Sequence, residues 1–395
     1  MGVMDLKKEY KSIFVLCFMV FAVFFAMWTF TGKWFWINQP YNSYILQAQA
    51  WKNGSLSLAE NYSHLEIAVF NGKYYISFPP FPSYVMFPFV LLGLNNCDGF
   101  IGFVSALLGA VYAFKICKHF CDDDNRAILF SLLLTIGSNW LFTAHVSWVW
   151  FIAQNMAFSL SLMAIYYALK KRSVSLVMWV CAVGCRPLQV LYIPLILYLL
   201  YNRDLSLANN LKANWKGIVI AAVIAISYMI LNYARFKNPL EFGHNYLPEF
   251  TQAENGQFSL SYMAKNLKSL VRLPEISYTS PWIYQAFNGT NIFIVSPIYV
   301  AYVIYTVFGF IKKPGKRHIL AVIFVTVLIQ FMCITAHKTM GGSQFGNRYT
   351  NDILPLALLS ICLALPKNRE YDKLNAVLFM FGFAVNVIGT VLYYM

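Results

Sequence analysis

From Ser12 to Phe30 the chain runs 19 residues without one charged side chain, and runs of that kind return throughout its length. A helix needs about 20 apolar residues to cross the hydrocarbon core of a bilayer. Repeated so often, such runs leave a water-soluble globule too little polar surface. The composition agrees: of 395 residues, 59% are hydrophobic and only 12% charged, with a mean hydropathy of +0.56. A membrane β-barrel would show short alternating segments, and alternation is absent here. The expected fold is an all-α polytopic membrane protein forming a single integral domain over residues 1–395, without internal repeats.

Apolar runs place spans near 12–30, 99–118, 127–144, 149–169, 174–185, 188–201, 217–235, 292–311, 319–336, 352–366 and 374–394, about eleven helices. The first is longer than a signal-peptide core and lacks a small-x-small cleavage site, so it is read as a retained span. The stretch 174–201 is too long for one ordinary span and is broken at Arg186-Pro187, which predicts a short helical hairpin carrying a cation at its turn. With the N-terminus cytoplasmic, the short inner segments hold Lys7, Lys8 and Lys11; Lys115, Lys118 and Arg126; Lys170, Lys171 and Arg172; Arg203, Lys212 and Lys216; Lys312, Lys313, Lys316 and Arg317; and Lys367, Arg369 and Lys373. That is the positive-inside pattern. It requires Phe81 to Leu94 to be an outer-face or re-entrant helix, since a full crossing there would send Lys170 to Arg172 outside.

The formal net charge of +14 sits beside span ends, where it serves topology and contact with membrane lipids rather than nucleic acid. Cys117 with Cys121 and Cys181 with Cys185 are spaced i,i+4 but have no second set of ligands nearby, so they read as packing residues. Asp122-Asp123-Asp124 falls on the cytoplasmic side, away from the other acids, and reads as a solvated charge run. No sequence feature demands a metal, and the need for a divalent cation stays open.

Two large loops face outward: 31–98, taken as the catalytic loop, and 236–291. They contain Glu60, Glu66, Glu241, Glu249, Glu254 and Glu275, whereas the spans are nearly free of acids. Ion-coupled carriers place carboxylates within the membrane, so this distribution disfavours a transporter and suits a reaction at the membrane surface. Glycosyl transfer from a lipid-linked sugar is such a reaction. It needs a base for the acceptor hydroxyl and cationic groups for the departing phosphate.

Five phrases in order, NSYILQAQAWKNGSLSL, HLEIAVFNGKYYISFPPFPSYVMFPFVLLG, GCRPLQVLYIP, LNYARFKNPLEFGHNY and FGNRYTNDILP, make the chain resemble the bacterial multi-spanning glycosyltransferases of the GT-C superfamily, the protein mannosyltransferase and aminoarabinose transferase group. The resemblance covers most of the chain. It implies a GT-C-like helical bundle whose first outer loop contains short amphipathic helices, in a bacterial plasma membrane with the active site on the outer face. It also implies a polyprenyl-phosphate-linked sugar as donor, a glycan, lipid or protein acceptor, inversion by direct displacement, and a catalytic Asp or Glu in the first outer loop.

Carried onto this chain, the acid before the Asn71-Gly72-Lys73-Tyr74-Tyr75 turn is Glu66, the expected general base. Many members place an Asp directly after the first span, where this chain reads Ile37-Asn38-Gln39-Pro40-Tyr41-Asn42. That departure leaves Glu60 as the second choice. Lys73, Arg186 and Arg348 are the expected ligands of the donor phosphate. Arg186 is the strongest of the three, because a lone charge within an apolar stretch is costly and a phosphate would offset the cost. Tyr74, Tyr75, Arg235, Glu241, His244 and Asn347 are expected near substrate, with loop scaffolding the competing reading for Arg235, Glu241 and His244. The alternatives at this stage are a lipid-linked glycan flippase without catalysis, which would need a polar path through the spans, and a scaffold, which would ask nothing of Glu66.

Overall fold

A computed structural model describes residues 3–273, 289–366 and 368–395; Glu275 and Lys367 lie outside the described residues. The chain opens with α1 (Val3–Thr31), whose 29 residues reach about 44 Å at 1.5 Å per residue, more than a bilayer core. The first large loop then holds α2 (Ser43–Lys52), strands β1 (Ile67–Phe70) and β2 (Lys73–Ile76), and α3 (Phe81–Leu91). After it come α4 (Asp98–Phe120), α5 (Asp124–Leu134), α6 (Trp140–His145), α7 (Val149–Leu169), α8 (Val174–Val183), α9 (Ile193–Leu200) and α10 (Leu207–Phe236). The second loop contains α11 (Pro248–Thr251) and α12 (Met263–Val271); α13 (Ile292–Val295), α14 (Ile298–Lys312), α15 (Arg317–Ala336), α16 (Leu354–Ala364) and α17 (Glu370–Tyr394) complete the bundle.

Among the described residues six helices are long and apolar enough to cross a membrane: α1, α4, α7, α10, α15 and α17. The remaining expected spans are helical too, built from the shorter α5 with α6, α8, α9, α13 with α14, and α16. Lipid supplies little hydrophobic drive between helices, so close packing and buried hydrogen bonds must hold them. Along the α4–α7 seam, Asn155 donates to the Gly102 carbonyl at 2.8 Å and Ser159 to that of Ser105 at 2.6 Å. Gly102 and Gly109, two turns apart on α4, lie directly against Ser147 and Phe158.

The 174–201 stretch folds as expected. Lys171 Nζ, just before α8, donates to the carbonyls of Leu199 and Tyr201 at 2.6 and 2.8 Å, so the chain leaves and returns to one end of the bundle, with Arg186 at the tip. At that same base end Lys118 pairs with Asp124 at 2.6 Å, Arg126 with Asp372 at 2.8 Å, and Arg369 with Asp123. The triple aspartate is therefore no free solvated run: Asp123 caps α5 by accepting from the Asn125 and Arg126 amides, satisfying donors that a helix start leaves open, while Asp124 also accepts from Ser12.

At the opposite end Thr31 meets His145 at 2.9 Å and the Tyr394 ring lies 5.2 Å from that histidine. The first and last helices thus finish together there. This is the end that carries the two large loops. Helix α3, at 11 residues with Pro88 inside it, spans only about 16 Å and is held at this end by Phe81 N to Gly184 O at 3.0 Å and Lys52 Nζ to Val90 O at 3.1 Å. Between α2 and α3 the loop forms a β-hairpin in which Phe70 faces Lys73, an element absent from the sequence-based expectation. Its two turn residues, Asn71 and Gly72, have φ of +49° and +72°, as a two-residue primed turn requires.

Candidate active site

The hairpin is what aims Glu66. Ile67 pairs with Ile76 and Ser77 Oγ donates to the Glu66 carbonyl at 2.8 Å, so the residue just before β1 is held by the strand pairing that follows it and by the Ser77 hydroxyl. Its side chain enters a cavity of about 570 Å³ closed by the Arg186 turn, the His244–Phe250 segment and the loop from His337 to Tyr349. Burial raises the Glu66 carboxyl above its ordinary value; a hydrogen bond from Trp150 works against the shift, the Glu249 carboxylate adds to it and Arg348 opposes it. A carboxylate with a raised pKa, reached from a cavity, accepts a proton more readily than a solvated one.

Two arginines face it. Arg186 directs Nε and Nη2 at one oxygen of Asp352, at 3.2 and 2.9 Å; its side chain is 19% exposed and that of Asp352 1%. The intramembrane cation thus has a protein counter-ion, which the sequence reading had left to a phosphate. Among the described residues Arg348 has no carboxylate in contact: its Nε donates to the Gly341 carbonyl at 3.2 Å. Gly341, at φ +107°, permits this approach, since a Cβ there would stand 2.8 Å from Arg348 Nε. Both guanidinium groups lie over the Tyr349 ring, 4.9 Å from its centre for Arg186 and 4.6 Å for Arg348, a stack suited to a planar cation.

The turn carrying Arg348 is pinned from three helices. Gln154 of α7 donates to the Arg348 carbonyl and, at 3.0 Å, to the second oxygen of Asp352. Tyr192, at the start of α9, donates to the Asp352 carbonyl at 2.7 Å, and Tyr299 of α14 to that of Thr350 at 2.6 Å.

His244 and His337 also line the cavity, and burial depresses both, to about 3 and about 4. They are neutral at ordinary pH. His244 Nδ1 lies 3.3 Å from the Ser77 carbonyl, and its ring sits 4.9 Å from that of Phe250. Among the described residues no group of three His, Cys, Asp or Glu side chains is placed to hold a metal ion.

Of the residues singled out from sequence, the fold brings Glu66, Arg186, Arg348 and His244 to one cavity. Others lie elsewhere. Glu60 and Lys73 are exposed, Lys73 at the tip of the hairpin. Tyr75 packs on Phe236 at 5.2 Å, and the Tyr74 carbonyl accepts from the Leu58 amide; neither tyrosine lines the cavity. Arg235 is buried and donates to the Ile76 carbonyl at 3.1 Å, tying α10 to the hairpin. Glu241 folds its own loop, accepting from Gly243 N and Asn245 Nδ2 at 2.6 Å each. Asn347 is buried against Asn139 and Gly289. Conversely, Tyr44, Trp150, Glu249 and His337 line the cavity with no local pattern announcing it.

The fold and the cavity together define a polytopic helical membrane protein with a deep acid-and-arginine site at one end of its bundle. No protein-family model and no curated protein sequence matches the chain. Among solved structures it is similar to ArnT from Cupriavidus metallidurans bound to undecaprenyl phosphate, at 14% identity and a TM-score of 0.49, over 97% of this chain and 74% of that one. It is also similar to ArnT from the same organism in the apo state, at 13% identity and a TM-score of 0.49, over 91% of this chain and 61% of that one.

Proposed function

We propose that the chain is an inverting membrane glycosyltransferase of the GT-C type, moving a sugar from a polyprenyl-phosphate donor to the hydroxyl of a glycan, lipid or protein acceptor at the outer membrane face. The observation that carries this reading is the meeting of Glu66 with Arg186 and Arg348 in one cavity. The sequence phrases shared with that superfamily supply the donor class.

The chemistry follows from charge. The acceptor oxygen attacks the anomeric carbon from the side opposite the phosphate and its proton passes to Glu66. The anomeric carbon–oxygen bond breaks, and the electron pair leaves with the polyprenyl phosphate. A phosphodiester with one negative charge thereby becomes a monoester approaching two. Groups that stabilise the charge gained in the transition state accelerate the step; Arg348, which has no carboxylate in contact among the described residues, takes that role in this reading.

The test is purified full-length protein with a panel of polyprenyl-phosphate sugars. Glu66→Gln removes the proton acceptor at nearly constant volume and should lower kcat by about 10²–10⁴-fold, with donor binding within a few-fold of the parent. Full turnover by Glu66→Gln would remove Glu66 from the reaction.

A further inference from the structure

Arg186 and Arg348 share the Tyr349 ring, yet among the described residues only Arg186 is paired with a carboxylate. Both oxygens of Asp352 are engaged, one by Arg186 Nε and Nη2 and the other by Gln154 Nε2 at 3.0 Å. The carboxylate is 1% exposed, so its charge acts on the cavity without touching what binds there. At the Tyr349 stack the two guanidiniums and Asp352 sum to +1, before the Glu66 and Glu249 carboxylates on the same cavity wall are counted, so the arginine pair falls short of the charge of a phosphate monoester dianion.

We propose that Asp352 is a positioning residue with a second effect: it aims Arg186 at the phosphate and, by cancelling one positive charge, keeps the site from trapping the product. The proposal rests on the glycosyltransferase reading and assigns a different step of it, release rather than bond cleavage. An ion pair of purely structural value behaves otherwise. Breaking it leaves a buried charge unpaired and loosens the site, whereas removing a counter-charge tightens the site for anions.

The probe is farnesyl phosphate, a short polyprenyl monophosphate, titrated calorimetrically into the detergent-solubilised full chain, with farnesol as the uncharged control. Asp352→Asn keeps an acceptor for Arg186 and removes the negative charge. Its affinity for farnesyl phosphate should rise on the order of ten-fold, from Coulomb's law at an effective dielectric near 20, with farnesol binding unchanged. Under turnover the same variant should show a lower kcat, a KM for donor no higher than the parent's, and stronger inhibition by added farnesyl phosphate. Asp352→Glu keeps the charge and displaces Arg186, so its donor KM should rise without tighter farnesyl phosphate binding; this variant decides the matter if Asp352→Asn fails to fold. Weaker farnesyl phosphate binding by folded Asp352→Asn, or tighter binding by Asp352→Glu, overturns the counter-charge role while leaving the phosphate site standing. No binding of farnesyl phosphate to the parent protein overturns the phosphate site itself.

Discussion

Glu66 and Glu249 line the same cavity, and each affects what the other can do. Burial raises both carboxyls, and the charge of Glu249 adds to the shift of Glu66. A general base works in its ionised form, so kcat/KM should fall on acidification through an inflection above 4.5, the ordinary glutamate value. Glu249→Gln removes the like charge and should move that inflection to lower pH; an unchanged inflection would show that the two carboxylates are uncoupled. No second limb is expected near 6.5 from His244 or His337, which stay neutral down to about 3 and about 4. Stability follows the same shifts with opposite signs. For Glu66, raised in the fold, the stabilising contribution is present below its unfolded value and is lost as pH rises through the folded one. Glu66→Gln should therefore melt no lower than the parent at pH 7, with any advantage gone near pH 4. For the two histidines, lowered in the fold, stability is held above 6.5 and lost as pH falls from there toward 3, which a melting series across that range would record.

The β-hairpin shows how an element can be legible in kind and misread in role. Its turn was visible in sequence as Asn71-Gly72, and an Asn-Gly pair between strand-forming residues is a strong hairpin signal. Four-residue strands are too short for their alternation to stand out, so the segment read as a polar loop and Lys73 became a phosphate ligand by nearness in sequence. Strand pairing reverses that inference. In an antiparallel pair with a two-residue turn, Lys73 lies at the tip and Glu66 beyond the far end of β1, so chain proximity becomes separation in space. Lys73→Ala should accordingly leave kcat and donor KM within about two-fold, the ordinary reach of a surface change. Gly72→Val puts a β-branched side chain at φ +72°, at a cost of roughly 1–2 kcal/mol. It should lower kcat because the strand pairing that holds Glu66 is strained; unchanged turnover would separate the hairpin from the site. The spans were read more faithfully because each needs only its own composition to declare itself. The hairpin of α8 and α9 was legible for a similar reason, since Arg186-Pro187 cannot sit within a continuous apolar helix.

At the scale of the whole molecule, the two ends of the bundle differ in a way the sequence displayed only as scattered charges. Lys118, Arg126 and Arg369 clamp one end to Asp123, Asp124 and Asp372; the cavity with Glu66, Arg186 and Arg348 opens at the other. Which arginine meets which acid was not readable, because 166 residues separate Arg186 from Asp352 and 246 separate Arg126 from Asp372. A sidedness can be proposed from sequence alone, because lysine and arginine near span ends bias insertion whatever they later touch. The proposed orientation, base end in the cytoplasm and cavity outside, can be tested with cysteine labels in a background whose eight native cysteines are changed to alanine. Lys73, exposed on the hairpin turn, and Lys316, exposed between α14 and α15, mark the two ends. In sealed right-side-out membrane vesicles a membrane-impermeant maleimide should label Lys73→Cys at once and Lys316→Cys only after permeabilisation. The reverse pattern would place the cavity in the cytoplasm, where a lipid-linked donor on the outer leaflet could not reach Glu66. Labelling of both sites before permeabilisation would mean that the chain between Lys73 and Lys316 does not cross an odd number of times, as its seven helical segments would, so that α3 adds a crossing or one of the shorter helices fails to make one.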